Sequence, residues 1–384
     1  MHISDPLNRP WRWAQRLLSI GETPPDAEQA ARPAIPPKRR RVRAKSGKPV
    51  GLALQGGGAH GAFTWGVLDR LLEDGSLRIE ALSGASAGAL NAVIVANGLI
   101  NGGPEIAREE LTQFWRRISS QSIFMPYRAT FVDRLFNGWN LDGTGQHFGL
   151  DMATRLMSPY QFNPFDHNPL RTLLEQSVDF ERLQRNRRIK LFIAATEVST
   201  GQARIFRTAE ITADSVLASA ALPAIHHAVE IDGLHYWDGG YSANPPLIPL
   251  IEHGSADDIL LIQIDPAHEQ NLPVTAMEIR NRMARLTFSA PLTRELETIQ
   301  WMAKLARRTV ASPLAKRFLV ARLHRIDAGD ALASLGQVSK LNPEWGLLQH
   351  AHDIGRDRTG DWLADNAAHV GKRASFEFPV EPDA

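Results

Sequence analysis

With 384 residues and 43% hydrophobic content, the chain is long enough for one large domain or two ordinary ones, which excludes disorder along its whole length. The absence of cysteine removes disulfides, thiolate zinc sites, iron–sulfur clusters and cysteine nucleophiles, so any covalent catalyst must be Ser, Thr, Lys, Asp or Glu. The formal charge of +1 hides an asymmetry: residues 38–48 hold seven of the 43 Lys and Arg and no acid, and the remaining 36 basic against 42 acidic residues do not describe a general nucleic-acid binder.

The first thirty residues contain Asp5, Arg9, Arg12, Arg16 and Glu22 and no apolar run of signal-peptide length, which predicts a cytoplasmic address. Residues 1–48 are expected to form a disordered Pro- and Arg-rich tail. The patch Trp11–Leu18 and the basic strap leave a second reading open, an arm touching an anionic membrane surface, and a third, a nuclear-import or RNA-binding strap. From Pro49 the texture changes. Val50-Gly-Leu-Ala-Leu-Gln55 reads as a strand, Gly56-Gly57-Gly58 breaks it, and Ala59 to Glu73 has helical period. Ile79 to Leu82 reads as a second strand and Ala87 to Leu99 as a second helix. The uncharged stretch from Leu82 to Pro104 is long enough to span a bilayer, but it carries Ser83, Ser86, Asn91, Asn97, Asn101 and five glycines, so it is read as strand end, turn and buried helix.

Between Phe124 and Phe165 the chain is rich in aromatics, Pro and Asn, which predicts long loops with short helices; membrane contact and packing over the sheet both remain open for Tyr127, Trp139, Tyr160, Phe162 and their neighbours. Ile189 to Ala195, Ala203 to Arg207, Ile259 to Ile264 and Phe318 to Leu323 read as further strands. Residues 275–310 and 343–366 are helical by pattern, and the part from Glu295 to Arg308 is left open between covering a channel and mediating a homo-oligomer. Strand–helix alternation predicts an α/β fold with a mostly parallel sheet covered by helices. The expected divisions are the tail at 1–48, a catalytic domain at 49–330 and a C-terminal helical extension at 331–384.

Two glycine motifs stand at the C-terminal ends of successive predicted strands, where open parallel sheets place their active sites. Gly56-Gly-Gly-Ala-His-Gly61 satisfies Gly-x-Gly-x-x-Gly, but the second strand ends in Ser83-Gly84 rather than the acid a dinucleotide's ribose requires. The same amides also suit an oxyanion at a helix N-terminus. Gly84-Ala-Ser86-Ala-Gly88 has the form of a nucleophile elbow, in which small neighbours permit the strained turn that exposes Ser86 Oγ; a plain helix cap is the alternative. Only 28 residues separate Gly58 from Ser86, room for a single crossover helix, which disfavours an ordinary α/β hydrolase. Asp238, in His235-Tyr-Trp-Asp-Gly-Gly240, is a candidate base if an apolar surround raises its pKa, and otherwise part of a turn. His226, His227 and His235 read first as ordinary loop histidines and otherwise as triad or metal ligands, although Glu230 beside them does not complete a ligand set, and no metal is expected.

Taken in order, Gln55-Gly-Gly-Gly-Ala-His-Gly-Ala62 with Gly66-Val-Leu68, Gly84-Ala-Ser-Ala-Gly88, Ala218-Ser-Ala-Ala-Leu-Pro223 and Asp238-Gly-Gly240 resemble the patatin-like phospholipase family. The resemblance covers roughly residues 49–265. It implies the family's three-layer fold and a Ser-Asp dyad without histidine, with Ser86 as nucleophile and Asp238 as base. It further implies an oxyanion hole at Gly56, Gly57 and Gly58 and an elbow bounded by Gly84 and Gly88, with His60, Gly61 and Gly239 as modulators. It implies activity on phospholipids, lysophospholipids or simpler acyl esters, with no cofactor and no calcium requirement. Such an enzyme would meet membranes peripherally. A non-catalytic membrane or regulatory binder and a dinucleotide-binding protein stay open as rival functions. One departure is His60, where the family usually has Arg or Lys; either it titrates near neutrality and adds a pH dependence to activity, or it only packs at the helix start.

Overall fold

A computed structural model describes residues 47–121, 156–266, 272–308, 312–333 and 335–376. The patch at Trp11–Leu18, all of the basic strap before Gly47, and Phe124, Tyr127, Phe131, Phe136 and Trp139 therefore lie outside the described residues.

The strands are β1 Lys48–Leu54, β2 Leu77–Gly84, β3 Lys190–Glu197, β4 Ala203–Arg207, β5 Val229–Ile231, β6 Leu234–Asp238, β7 Asp258–Gln263 and β8 Arg322–Asp327. They form one sheet in the order β5-β6-β3-β2-β1-β7-β8, with β4 also paired to β3. The five strands from β3 to β8 along that order are mutually parallel; β4 and β6 pair antiparallel to β3, and β5 pairs antiparallel to β6. The longer helices are α1 Gly61–Asp74, α2 Ala87–Asn101, α3 Pro104–Ser120, α4 Pro169–Ser177, α5 Phe180–Arg185, α6 Ala213–Ser219, α7 Ile248–His253, α8 Ala276–Arg308, α9 Pro313–Val320 and α10 Trp345–Asn366.

The central strands are buried on both faces, which is why they read as continuous apolar runs rather than alternating ones. Leu52, Leu54, Leu82, Leu260 and Ile262 point to one face, where they meet Phe63 and Val67 of α1, Leu90 and Ile94 of α2, Leu111 and Trp115 of α3, and Leu348 of α10. Ala53, Ala81, Ile259, Leu261 and Leu323 point to the other, where Leu250 of α7, Leu292 and Ile299 of α8 and Phe318 of α9 cover them. The fold is thus three layers, with helices on both faces of the sheet.

Two sequence expectations shift. Phe318 is helical rather than the start of a strand: Ser312 Oγ accepts the Ala315 N–H at 3.2 Å and Pro313 stands in the first turn, which opens α9 and delays the strand to Arg322. Pairing also begins two residues before the expected strand start at Val50, at Lys48, whose Nζ donates to Ala367 O at 2.8 Å. The segment from Glu295 packs on the sheet through Ile299, while the Glu295 carboxylate accepts the Leu247 and Ile248 amides at the start of α7. Among the described residues no helix is long and apolar enough to cross a membrane.

Candidate active site

β1 and β2 run parallel with Leu54 opposite Gly84, so the turns that follow them emerge side by side. A Cβ on Gly56 would fall 2.6 Å from Ala85 O and 2.7 Å from Ser86 Cβ, so the two turns touch only because Gly56 has no side chain. Ser86 itself sits at φ 53°, ψ −128°, a backbone conformation that costs an L-residue about 1–3 kcal/mol and is kept only where the surroundings enforce it. Gly84 and Gly88 press against each other beneath it, and Gly61 presses on Ala87, which brings the first turns of α1 and α2 together. Asn91 of α2 ties them: its Nδ2 donates to Gly61 O at 3.0 Å and its Oδ1 accepts the Trp115 indole N–H at 3.0 Å.

Asp238 reaches this point from the opposite direction. β4 covers residues 192–196 along one edge of β3, so β2 and β6 share the other edge, β2 along residues 190–193 and β6 along residues 195–197. The last residue of β6 is Asp238, which lands just past the end of β2, beside the elbow. The segment Ala218–Pro223 bridges the two groups: the Ser86 N–H donates to Ser219 at both O (3.0 Å) and Oγ (3.1 Å), and the Asp238 N–H donates to Ala221 O at 2.9 Å. Thr196 Oγ1 donates to the Asp238 carbonyl at 2.8 Å, and Gly239 packs against Ala194 O.

The Asp238 side chain is fully buried. Its Oδ1 accepts the Gly240 N–H at 2.7 Å, and its Oδ2 has no hydrogen-bond partner among the described residues. Burial pushes its pKa up to about 7, and the nearby Ser86 hydroxyl and the Gly240 amide only partly oppose that rise. Near neutral pH the group is therefore balanced between acid and carboxylate, poised for proton transfer. In the glycine loop, the Gly56 N–H is already engaged by Asn244 Oδ1 at 2.7 Å. The Gly57 and Gly58 amides have no partner among the described residues. They lie at the positive end of α1, where a developing anion is favoured.

A family model described as "Patatin-like phospholipase" matches residues 52–251. The chain belongs to the patatin-like phospholipase family. Among solved structures it is similar to VipD from Legionella pneumophila (16% identity, TM-score 0.39, 83% of this chain and 67% of that one). It is also similar to the ExoU–SpcU complex from the type III secretion system of Pseudomonas aeruginosa (13% identity, TM-score 0.36, 84% of this chain and 52% of that one). No curated protein matches the chain. Membership of this family places the chain among lipid acyl hydrolases.

Of the two readings of His60, packing at the helix start holds and titration near neutrality does not. It is buried, with Nε2 2.6 Å from Ser339 Oγ, and burial lowers its pKa to about 3; the charge of Lys340 adds to that and Asp265 opposes it. Burial therefore keeps His60 neutral near neutral pH, so it does not titrate there. Replacing it by Gln, which retains a donor toward Ser339, is expected to leave the pH dependence of activity between about pH 6 and 9 unchanged; a changed profile in that window would return the titration to His60.

The other histidines face elsewhere. His226 is lowered to about 4 by burial, with Asp166 opposing; His227 Nε2 lies 3.2 Å from Pro159 O with its ring on Tyr160; His235 lies 3.8 Å from Glu230. Sequence reasoning missed Asn244, which orients the glycine loop and whose Nδ2 donates to Phe288 O at 3.1 Å. An Asn-Pro step shortly after Asp-Gly-Gly was its only visible signal. Ser219, the partner of the Ser86 amide, is also not legible as such, although its block Ala218–Pro223 is part of the family resemblance.

Proposed function

We propose that the protein is a serine lipid acyl hydrolase, of phospholipase A, lysophospholipase or carboxylesterase type, working through Ser86 and Asp238 without histidine. The observation that carries this reading is the buried Asp238 carboxyl beside the strained Ser86, with one oxygen unpartnered and a pKa near 7. Ser86 Oγ attacks the ester carbonyl while Asp238 takes its proton, and the Gly57 and Gly58 amides receive the oxyanion. Asp238 returns the proton to the departing alcohol. Water, deprotonated by the same carboxylate, then opens the acyl-enzyme and releases the fatty acid. Gly56 acts as a spacer held by Asn244 rather than as an oxyanion donor.

Contact with a lipid surface fits the exposed apolar groups. Tyr160, Phe162 and Phe165 are open to solvent, and Ile279, Met283 and Leu286 form a stripe on the outer side of α8, whose Phe288 packs on Tyr241 close to Asp238. The Lys340 carbonyl, packed against Gly58, is an acceptor that would repel the pyrophosphate of a dinucleotide.

The test is labelling with a fluorophosphonate, followed by peptide mapping. Wild type is expected to carry the adduct on Ser86, and Ser86→Ala to carry none. A folded wild type that resists the probe would point to a binding protein on a hydrolase fold.

A further inference from the structure

The proposed oxyanion donors, Gly57 and Gly58, belong to a run of three glycines, the most mobile backbone a chain can have, yet an oxyanion site works only if its donors are fixed before charge develops. Within the loop they are restrained only through their carbonyls among the described residues, Gly57 O accepting the His60 N–H at 3.2 Å and Gly58 O the Gly61 N–H. The remaining restraint comes from outside. Below, Gly57 rests on Ile264, and the Gln55 side-chain oxygen accepts the Ile264 and Asp265 amides at 2.7 and 3.0 Å. Above lies a short turn from far along the chain, Leu335 to Asn342, which includes a 3-10 segment at Val338–Leu341.

This turn grips the loop at two points and is fastened beneath it at a third. Lys340 O stands only 2.3 Å from where a Gly58 Cβ would be, and Gly58 has φ +57°, so the carbonyl packs directly on its backbone. The Ser339 hydroxyl donates to Gly336 O at 2.8 Å, so its proton is committed and the 2.6 Å contact with His60 is a bond from the imidazole Nε2–H to Ser339 Oγ. Finally, Lys340 Nζ bonds both Asp265 oxygens, at 2.7 and 2.9 Å, with both side chains largely buried. The pair joins the turn above the loop to the strand end below it.

We propose that the 335–342 turn is a clamp on the oxyanion loop, with Lys340 and Ser339 as positioning residues and the Lys340–Asp265 ion pair as its fastening. The clamp lies beyond residue 251, where the family match ends, so this chain completes its reaction centre with its own C-terminal segment. The inference rests on Gly57 and Gly58 being the oxyanion donors.

Lys340→Met removes the charge and keeps the stem. On a soluble p-nitrophenyl ester, full-length Lys340→Met is expected to lose roughly 10- to 100-fold in kcat with KM nearly unchanged, because a displaced oxyanion donor weakens the transition state and not the ground state. Lys340→Arg is expected to restore most of kcat. Asp265→Asn and Ser339→Ala should show the same kcat-selective loss, and they carry the test if Lys340→Met does not fold. The acid limb of the pH profile should stay in place in all of them, because the surroundings of Asp238 are untouched. A lowered melting temperature with unchanged kcat would overturn the proposal, as would a displaced acid limb, which would mean that the effect passes through Asp238. Ser86→Ala separates the two readings. If it remains active, the proposed reaction centre itself fails; if it is inactive while the clamp variants keep wild-type kcat, only the clamp fails.

Discussion

Asp238→Asn is expected to lower kcat/KM roughly 10²- to 10⁴-fold and, above neutral pH, to make the protein more stable. Both effects come from one fact, a carboxyl taken out of water beside Ser86. In the wild type, kcat/KM should rise about tenfold per pH unit on the acid side and level off above about pH 7, following the ionisation of Asp238. The stability effect has the opposite sense. Because the folded pKa is raised from 3.8 to about 7, the stability contributed by neutral Asp238 is complete below about pH 3.8 and is lost as pH rises through about 7. A shift of that size corresponds to at most about 4 kcal/mol once the group is fully ionised. Asn does not ionise. The gap between the melting temperatures of the two proteins should therefore be constant below about pH 3.8 and shift by several degrees in favour of Asn by about pH 8.5. A constant difference across that range would show that Asp238 does not titrate there. The trade is the familiar one in which a functional group is kept at the expense of the fold.

Gly88→Ala is expected to destabilise the protein by about 3 kcal/mol or more and to abolish esterase activity with it. The new Cβ would fall 2.0 Å from Leu54 O. Leu54 has nowhere to go, because β1 is paired on one side to Gly84 of β2 and on the other to Ile262 of β7, so the start of α2 must move instead and take Ser86 with it. Gly75→Ala is the control. Gly75 closes α1 at φ +69° with open space around it, so the substitution meets only the left-handed penalty of about 1–2 kcal/mol and leaves the reaction centre alone. Urea unfolding and ester turnover of both variants check the pair; equal losses of stability would mean that the elbow has more room than its contacts imply.

Much of this fold could be read from local patterns. The runs at Val50–Gln55 and Ile259–Ile264 are apolar throughout because both faces of those strands are covered, and glycines break them where the chain must turn at once into a helix. Where a local helix-start signal competes with an apolar run, as with Ser312-Pro313 opening α9, the strand expected at Phe318 gives way to helix. Ser86 and Asp238 were visible as candidates because each is framed by residues that the turn geometry demands.

By itself, the amino-acid sequence determined the alternation of strands and helices and the short glycine-framed turns, since these depend on neighbours a few positions apart. It also determined, by the absence of cysteine, which nucleophiles are available. The tertiary structure alone decided which amides of the glycine loop are free, because Gly56 is taken by Asn244, 188 residues away. It alone decided that His60 is neutral, since burial against Ser339, 279 residues away, sets its charge. It alone decided that Asp238 is poised near neutrality, because desolvation is a property of everything packed around a group and leaves no mark on the residues beside it in the chain.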